Sequence, residues 1–229
     1  AMKSEISLEW KQAVRKELSN MEKYNVWSVV DSNPQVKPLR CTWIFKTKKD
    51  AENNVLECKA RLCAQGFGKT EGIDYNATYS STGKMASPRL LIVISLSLNL
   101  RFHQLDIKSA FLNAPLEEDI YLHPPPGVNI DSSKLLKLNK AMYGLKQAPL
   151  AWHRTLTSTL FRLGFKRCDA EPCVFWNRGT FLYLHVDEIA VFSKKPQKFI
   201  EEISKFFEIK DLGEANLLLG MKIKWTDDS

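Results

Sequence analysis

Three carboxylates stand at the ends of apolar runs, where a strand hands over to a turn. The stretch 181–193 reads Phe-Leu-Tyr-Leu-His-Val-Asp-Glu-Ile-Ala-Val-Phe-Ser, two β-prone apolar runs around Asp187 and Glu188. That pattern predicts a tight hairpin whose tip presents both carboxylates. Asp106, in His103-Gln-Leu-Asp-Ile-Lys-Ser, closes another short apolar run directly before Lys108-Ser109. Carboxylate oxygens suit hard divalent cations, and Mg²⁺ is usually held by one or two of them plus substrate phosphates. Two strand-end aspartates with two such ions are what in-line phosphoryl transfer needs: one ion activates the attacking hydroxyl, the other steadies the leaving group. Periodicity alone does not pair Asp106 with Asp187.

The elements that must position these acids follow from pattern. A helix is expected over 8–23, with Trp10, Val14, Leu18 and Met21 on one face. Cys41–Asp50, a polar turn at 51–54 and Val55–Ala64 predict a hairpin that carries Lys46, Lys48 and Lys49 near its turn. Lys59 and Arg61 alternate onto one face of the return strand. Ser87-Pro88 predicts a helix start, serine as N-cap and proline first inside, running to Leu98. The loop 142–149 should enter a helix with Trp152, Leu156, Leu160 and Leu163 on one face and Gly164 as its stop. An amphipathic helix is expected over 196–207 with Phe199, Ile203 and Phe206 inward, then closing strands from Ile209 to Trp225.

Composition narrows the class. The 229 residues are 44% hydrophobic and 26% charged, an ordinary globular balance. A formal charge of +7 is compatible with a polyanionic partner without requiring one. The five cysteines form no Cys-x-x-Cys pair and lie at no zinc-finger spacing from histidine, so reduced thiols of an intracellular protein are expected. The longest apolar stretch, 90–100, is too short to span a bilayer, and no signal peptide is visible. Ala1-Met2 is read as an expression remnant, and the polar end 226–229 as a cut within a longer polyprotein.

Leu105–Asn113, Ala141–Trp152 and His185–Glu188 resemble the three core blocks of a Ty1/copia-type retrotransposon reverse transcriptase. Trp43–Lys46, Cys58–Phe67, Glu71–Tyr75, Leu163–Lys166 with Asp169–Cys173, Asp211–Glu214 and Leu219–Lys222 are similar to further blocks of that family, in order, so the likeness runs from about Trp10 to Lys222. The resemblance implies an α+β right-hand fold limited to fingers and palm, its antiparallel palm sheet backed by helices in a split β-α-β-β-α-β order. Residues 1–104 would hold the N-terminal helix, the fingers hairpin and the first palm helix. Residues 105–229 would hold the palm, with 113–150 an inserted part of the fingers, and the thumb, connection and RNase H regions would be absent. It implies RNA-directed DNA polymerase activity with Asp106, Asp187 and Glu188 catalytic, and Asp106, Ile107 and Asp187 holding Mg²⁺ or Mn²⁺. Lys49, Lys59, Arg61, Phe111 and Gln147 would contact the deoxynucleoside triphosphate, Phe111 by closing off the sugar's 2′ side. His185, Lys146 and Arg89 would meet an RNA or DNA primer-template. Localisation would be a cytoplasmic virus-like particle or the nucleus, with no membrane.

The chain departs from that pattern at several points. The third block is His-Val-Asp-Glu where Tyr-Val-Asp-Asp is usual, so the second acid is a methylene longer. Ala114 stands for a glycine, Leu150 for an arginine, and Ser80-Ser81-Thr82 for a proline-bearing turn. Magnesium wants near-ideal octahedral bonds, and a ligand displaced by about 1 Å can cost roughly a hundredfold in rate. The alternative reading is therefore a host-domesticated, catalytically weak scaffold that binds nucleic acid or a protein partner.

Overall fold

The computed structural model of the chain describes residues 7–50, 52–66, 83–131, 133–214, 217–218 and 220–223. The Glu71–Tyr75 block, the Ser80–Thr82 departure, Phe67, Leu219 and Trp225 lie outside the described residues. In chain order come α1 (Ser7–Lys23), β1 (Trp27–Asp31), β2 (Cys41–Lys49), β3 (Val55–Ala64), α2 (Ala86–Ser97) and β4 (Arg101–Ile107). Then follow β5 (Tyr121–Leu122), β6 (Lys134–Leu138), α3 (Ala148–Arg162), β7 (Lys166–Arg167), β8 (Val174–Asn177) and β9 (Thr180–His185). β10 (Glu188–Ser193), α4 (Pro196–Ile203), β11 (Ile209–Glu214), β12 (Leu217–Leu218) and β13 (Met221–Lys222) close the chain. The result is an α+β protein built on antiparallel sheets. Among the described residues no helix is long and apolar enough to cross a membrane.

The chain divides into two compact units. The first, Ala1–Tyr79 with Phe111–Thr155, is built around the β2–β3 hairpin. Helix α1 lays Trp10 and Ala13 against Ala60, with Val14, Trp43, Phe45 and Cys58 packed around them. Trp10 meets Phe45 edge to face at 5.2 Å, a geometry that aromatic quadrupoles favour. Glu17 fastens the helix to the hairpin by accepting the Leu62 N–H at 3.3 Å, and burial pushes its carboxyl above the usual value. A small sheet ordered β1-β6-β5 completes the unit.

The second unit, Ser80–Ala110 with Leu156–Ser229, holds a six-stranded sheet ordered β11-β4-β10-β9-β8-β7. Its first four strands, with α3 lying between β4 and β9 in sequence and α4 between β10 and β11, have the split β-α-β-β-α-β order expected above. Central strands buried on both faces read as continuous apolar runs. Accordingly Ile189 to Phe192 of β10 are all buried, and Phe102 stacks on Phe192 at 4.6 Å. Helix α2 packs against β4, β9 and β10. Helix α3 ends as its sequence requires: Gly164 takes φ +81°, and the Phe165 N–H reaches back to the Leu160 carbonyl at 3.0 Å.

Three local expectations are corrected. Ser87 is not an N-cap: α2 starts at Ala86 after Met85, without a side-chain cap. Its hydroxyl is given instead to Glu171 Oε2 at 2.7 Å, and the Lys84 N–H donates to the same oxygen at 3.1 Å. A carboxylate remote in sequence thus supplies the acceptor that a local serine would have been. Helix α4 stops at Ile203, not near Phe207. The helical phase is lost there, so Phe207 is buried while Phe206 is 38% exposed beneath the Arg162 guanidinium, 5.1 Å from the ring. Finally, only Val186 and Asp187 form the hairpin tip, and Glu188 opens β10 within the ladder.

Candidate active site

Asp106 near the end of β4 and Glu188 at the start of β10 stand directly opposite each other in an antiparallel ladder. Such partners leave the sheet on one face, with Cβ atoms about 4.5–5.5 Å apart. The Ile107 N–H donates to the Asp187 carbonyl at 2.8 Å, which clasps the hairpin turn to the end of β4. Two strands and one turn therefore gather Asp106, Asp187 and Glu188 at one edge of the second unit. All three are half-exposed.

The turn itself is strained. Val186 has φ +57°, a left-handed backbone that is an outlier for a β-branched residue. Such a conformation costs on the order of 1–3 kcal/mol and persists only where surrounding structure over-determines it. Here the pairing of Glu188 with both His185 and Asp106 supplies that constraint.

Neighbours on the same face set the electrostatics. Gln104 Nε2 donates to Glu188 Oε2 at 3.2 Å, so the longer acid is held along the strand. Lys210 of β11 stands opposite Asp106 on its other side. Sequence reasoning missed both Gln104 and Lys210, because only strand order brings them beside the acids. Ile107 can offer a cation its backbone oxygen alone. Among the described residues no group of three or more His, Cys, Asp and Glu could hold a metal ion. Magnesium is usually held by only one or two carboxylates together with substrate phosphates, so Asp106, Asp187 and Glu188 are the residues that could contribute to a cation site here.

The remaining second-unit residues divide. His185 pairs with Glu188 in the ladder, and its Nδ1 is buried with no hydrogen-bond partner among the described residues. Arg89 lies on α2 and donates its Nε–H to Met221 Sδ at 3.4 Å.

In the first unit, Lys59 faces Lys46 across the hairpin. Like charges directly opposite destabilise a strand pair unless an anion lies over them. Two residues on, the Arg61 guanidinium lies 4.6 Å from the centre of the Tyr143 ring, and Tyr143 meets Phe111 edge to face at 5.0 Å. Arg61 Nε is buried with no hydrogen-bond partner among the described residues. Arg61 and Phe111, expected to serve one ligand, are thus joined through a tyrosine that sequence reasoning passed over. Its one signal was the following glycine: Gly144 has φ +88°, and a Cβ there would run into the Ala64 carbonyl oxygen.

Two expected partners are not in this stack. Lys49 lies near the hairpin turn, where its Nζ donates to Asn53 Oδ1 at 2.8 Å. It is five residues along β2 from Ile44, the partner of Arg61, which is about 16 Å at strand rise. Gln147 is 6% exposed and lines a separate cavity of about 140 Å³ with Leu116, Glu117, Leu150 and Arg154. Its Nε2 has no hydrogen-bond partner among the described residues. Lys146 beside it is exposed.

Comparison with known proteins bears on the family of the chain. Residues 24–228 match the family described as reverse transcriptase (RNA-dependent DNA polymerase). The chain is 36% identical over 222 residues to the retrovirus-related Pol polyprotein from transposon TNT 1-94 of Nicotiana tabacum, covering 93% of this chain and 17% of that one. It is 32% identical to the Pol polyprotein from transposon RE1 of Arabidopsis thaliana, covering 94% and 15%. It is 31% identical to the transposon Ty1-DR5 Gag-Pol polyprotein of Saccharomyces cerevisiae, covering 93% and 13%. The chain spans less than a fifth of the length of these curated relatives. With a family match over nearly its whole length and Pol polyproteins of the Ty1/copia type as its relatives, the chain belongs to the reverse transcriptase family.

Proposed function

We propose that this chain is the fingers and palm of a copia-type RNA-directed DNA polymerase. The unit with the β2–β3 hairpin corresponds to fingers and the unit with the six-stranded sheet to palm. The observation that carries this reading is the register of Asp106 opposite Glu188, with Asp187 clasped to Ile107 by a backbone hydrogen bond. Asp106, Asp187 and the backbone of Ile107 would hold magnesium or manganese, with Glu188 alongside. Bound there, two such ions would supply activation of a primer 3′-hydroxyl and neutralisation of the leaving pyrophosphate. The chain's own share is positioning. The strained turn fixes Asp187, Gln104 orients Glu188, and Lys210 offsets the negative charge beside Asp106. Arg61 and Lys59 would take the triphosphate of the incoming deoxynucleotide. Phe111 and Tyr143 would take its sugar, a role to which Gln147 is less suited from its own cavity. His185 would face the primer-template.

Primer extension on poly(rA)/oligo(dT), with Mg²⁺ and separately Mn²⁺, tests the reading. Asp187→Asn should lower extension by about a hundredfold or more, as expected when a positioned ligand is lost. Glu188→Asp should retain or raise it. Equal extension by wild type and Asp187→Asn refutes the assignment of the acids. The hydrogen bond from Gln104 to Glu188 favours a second reading, in which that carboxylate serves the sheet and the chain is a nucleic-acid-binding scaffold. Wild type and Glu188→Asp would then both be silent. Salt-dependent binding of primer-template, set mainly by phosphate neutralisation, would persist in Asp187→Asn.

A further inference from the structure

The second unit contains a cavity of about 700 Å³ at the end of β10 remote from Glu188. Ser193 in its wall is five residue steps along β10 from Glu188, about 17 Å at strand rise. Leu100, Phe165 and Phe199 form a buried apolar floor, and Phe165 meets Phe199 edge to face at 5.3 Å. Arg178, Lys194, Lys195 and Lys198 stand exposed in the same wall with one carboxylate, Glu202, a net charge of +3. None of the four cations is paired with a carboxylate among the described residues.

The surroundings hold this wall in place. Arg178 and Gly179 both have positive φ, at 42° and 82°, forming the tight turn between β8 and β9. Asn177 Nδ2 ties that turn to the Leu163 carbonyl at 3.2 Å. Thr180 and Ser193 hydroxyls bond to each other at 2.8 Å, and the Lys195 N–H donates to Ser193 Oγ at 3.2 Å.

The lysines are also on the wrong end of a helix. Lys195 is the N-cap of α4 and Lys198 lies in its first turn, which contains no acidic residue, and the cap makes no side-chain hydrogen bond. Cations at a helix N-terminus oppose the macrodipole, and an anion there is favoured. An anion bound among these cations would relieve both their mutual repulsion and their opposition to the helix dipole. The volume lies in the range of small-molecule sites, about 300–1,000 Å³. All four cations line this one cavity, which fits a compact polyanion; a nucleic-acid strand would call for a groove that tracks its backbone.

We propose that this cavity binds a nucleotide-class organic phosphate, its phosphates on Lys194, Lys195, Lys198 and Arg178 and its flat apolar part over Leu98 and Leu163. The site is distinct from the acids of β4 and β10 and does not depend on the polymerase reading. The probe is trinitrophenyl-ATP fluorescence titration in EDTA, which removes binding that requires a divalent ion, with inorganic pyrophosphate as competitor. Saturable binding is expected, displaced by pyrophosphate and weakened about tenfold or more in Lys194→Glu/Lys198→Glu. Lys205→Glu/Lys222→Glu, matched in charge and outside the wall, should change it by less than about threefold. Thermal melts of both variants check that the fold is kept. No saturation below about 1 mM, or unchanged affinity in Lys194→Glu/Lys198→Glu, overturns the proposal. So does loss of binding in Lys59→Ala/Arg61→Ala instead, which would assign the probe to the first unit. Displacement by single-stranded DNA at far lower phosphate concentration than by pyrophosphate would also overturn it, in favour of a strand.

Discussion

Replacing Gly144 by alanine should unfasten the loop that brings Tyr143 to Arg61. The glycine has φ +88°, and its ideal Cβ would lie within 3.0 Å of both Ala64 N and Ala64 C and closer still to Ala64 O. Those are backbone atoms of the end of β3, and the Ala64 N–H is itself bonded to the Tyr143 carbonyl at 2.8 Å. No flexible side chain can swing aside. The left-handed conformation costs a residue with a Cβ roughly 1–2 kcal/mol. Forcing a methyl into packed surroundings adds roughly 1–3 kcal/mol. Together these predict a loss of about 2–5 kcal/mol in urea unfolding, read from the midpoint at unchanged slope. Gly127→Ala is the control: φ is +93° but nothing lies within 4 Å of its Cβ, so only the conformational part, about 1–2 kcal/mol, should be lost. If Gly144→Ala costs no more than Gly127→Ala, the close backbone crossing is not what seats this loop.

Other expectations follow from single contacts. Arg61→Lys keeps the charge but loses the planar face that lies over Tyr143. It should raise the KM for deoxynucleotide by roughly tenfold with less effect on kcat, and an unchanged KM would remove Arg61 from the nucleotide site. Tyr183→Phe removes a buried hydroxyl with no hydrogen-bond partner among the described residues. It should be neutral or stabilising by up to about 1 kcal/mol, and a clear loss would reveal a partner for the phenol. Burial, then Cys173 and Glu171, pushes Tyr183 from 10.0 up to about 12. The unfolded chain therefore releases this proton first, so stability is untouched by this titration below pH 10 and falls as pH rises from 10 toward 12. A flatter stability curve across that window in Tyr183→Phe is the check. For Glu171, burial raises the carboxyl, but hydrogen bonds from Ser87, Lys84 and Cys173 outweigh it and hold it below 4.5. Its stability is present above that value and lost as pH falls through the depressed one. Glu171→Gln should cost about 1–3 kcal/mol at neutral pH and blunt the acid loss, and equal acid sensitivity would argue against the clasp.

Much of the secondary structure around the candidate site was legible because local preferences are written locally. Apolar runs around Asp187-Glu188 determine a hairpin, Gly164 determines where α3 stops, and alternation along β3 puts Lys59 and Arg61 on one face. What could not be read is whatever depends on which strand lies beside which. Register sets Glu188 opposite Asp106, Lys210 on the other flank and Gln104 within reach of Glu188, and no spacing along the chain encodes those meetings. The same holds for Glu171, which takes the hydroxyl that made Ser87 look like a helix cap. It holds also for Tyr143, which joins Arg61 to Phe111 because Gly144 can lie flat against Ala64. Secondary structure follows from dihedral preference and the period of apolar residues, both properties of neighbours in sequence. Pairing across a sheet is decided by burial of the whole set of strands at once, and only the folded chain states its outcome.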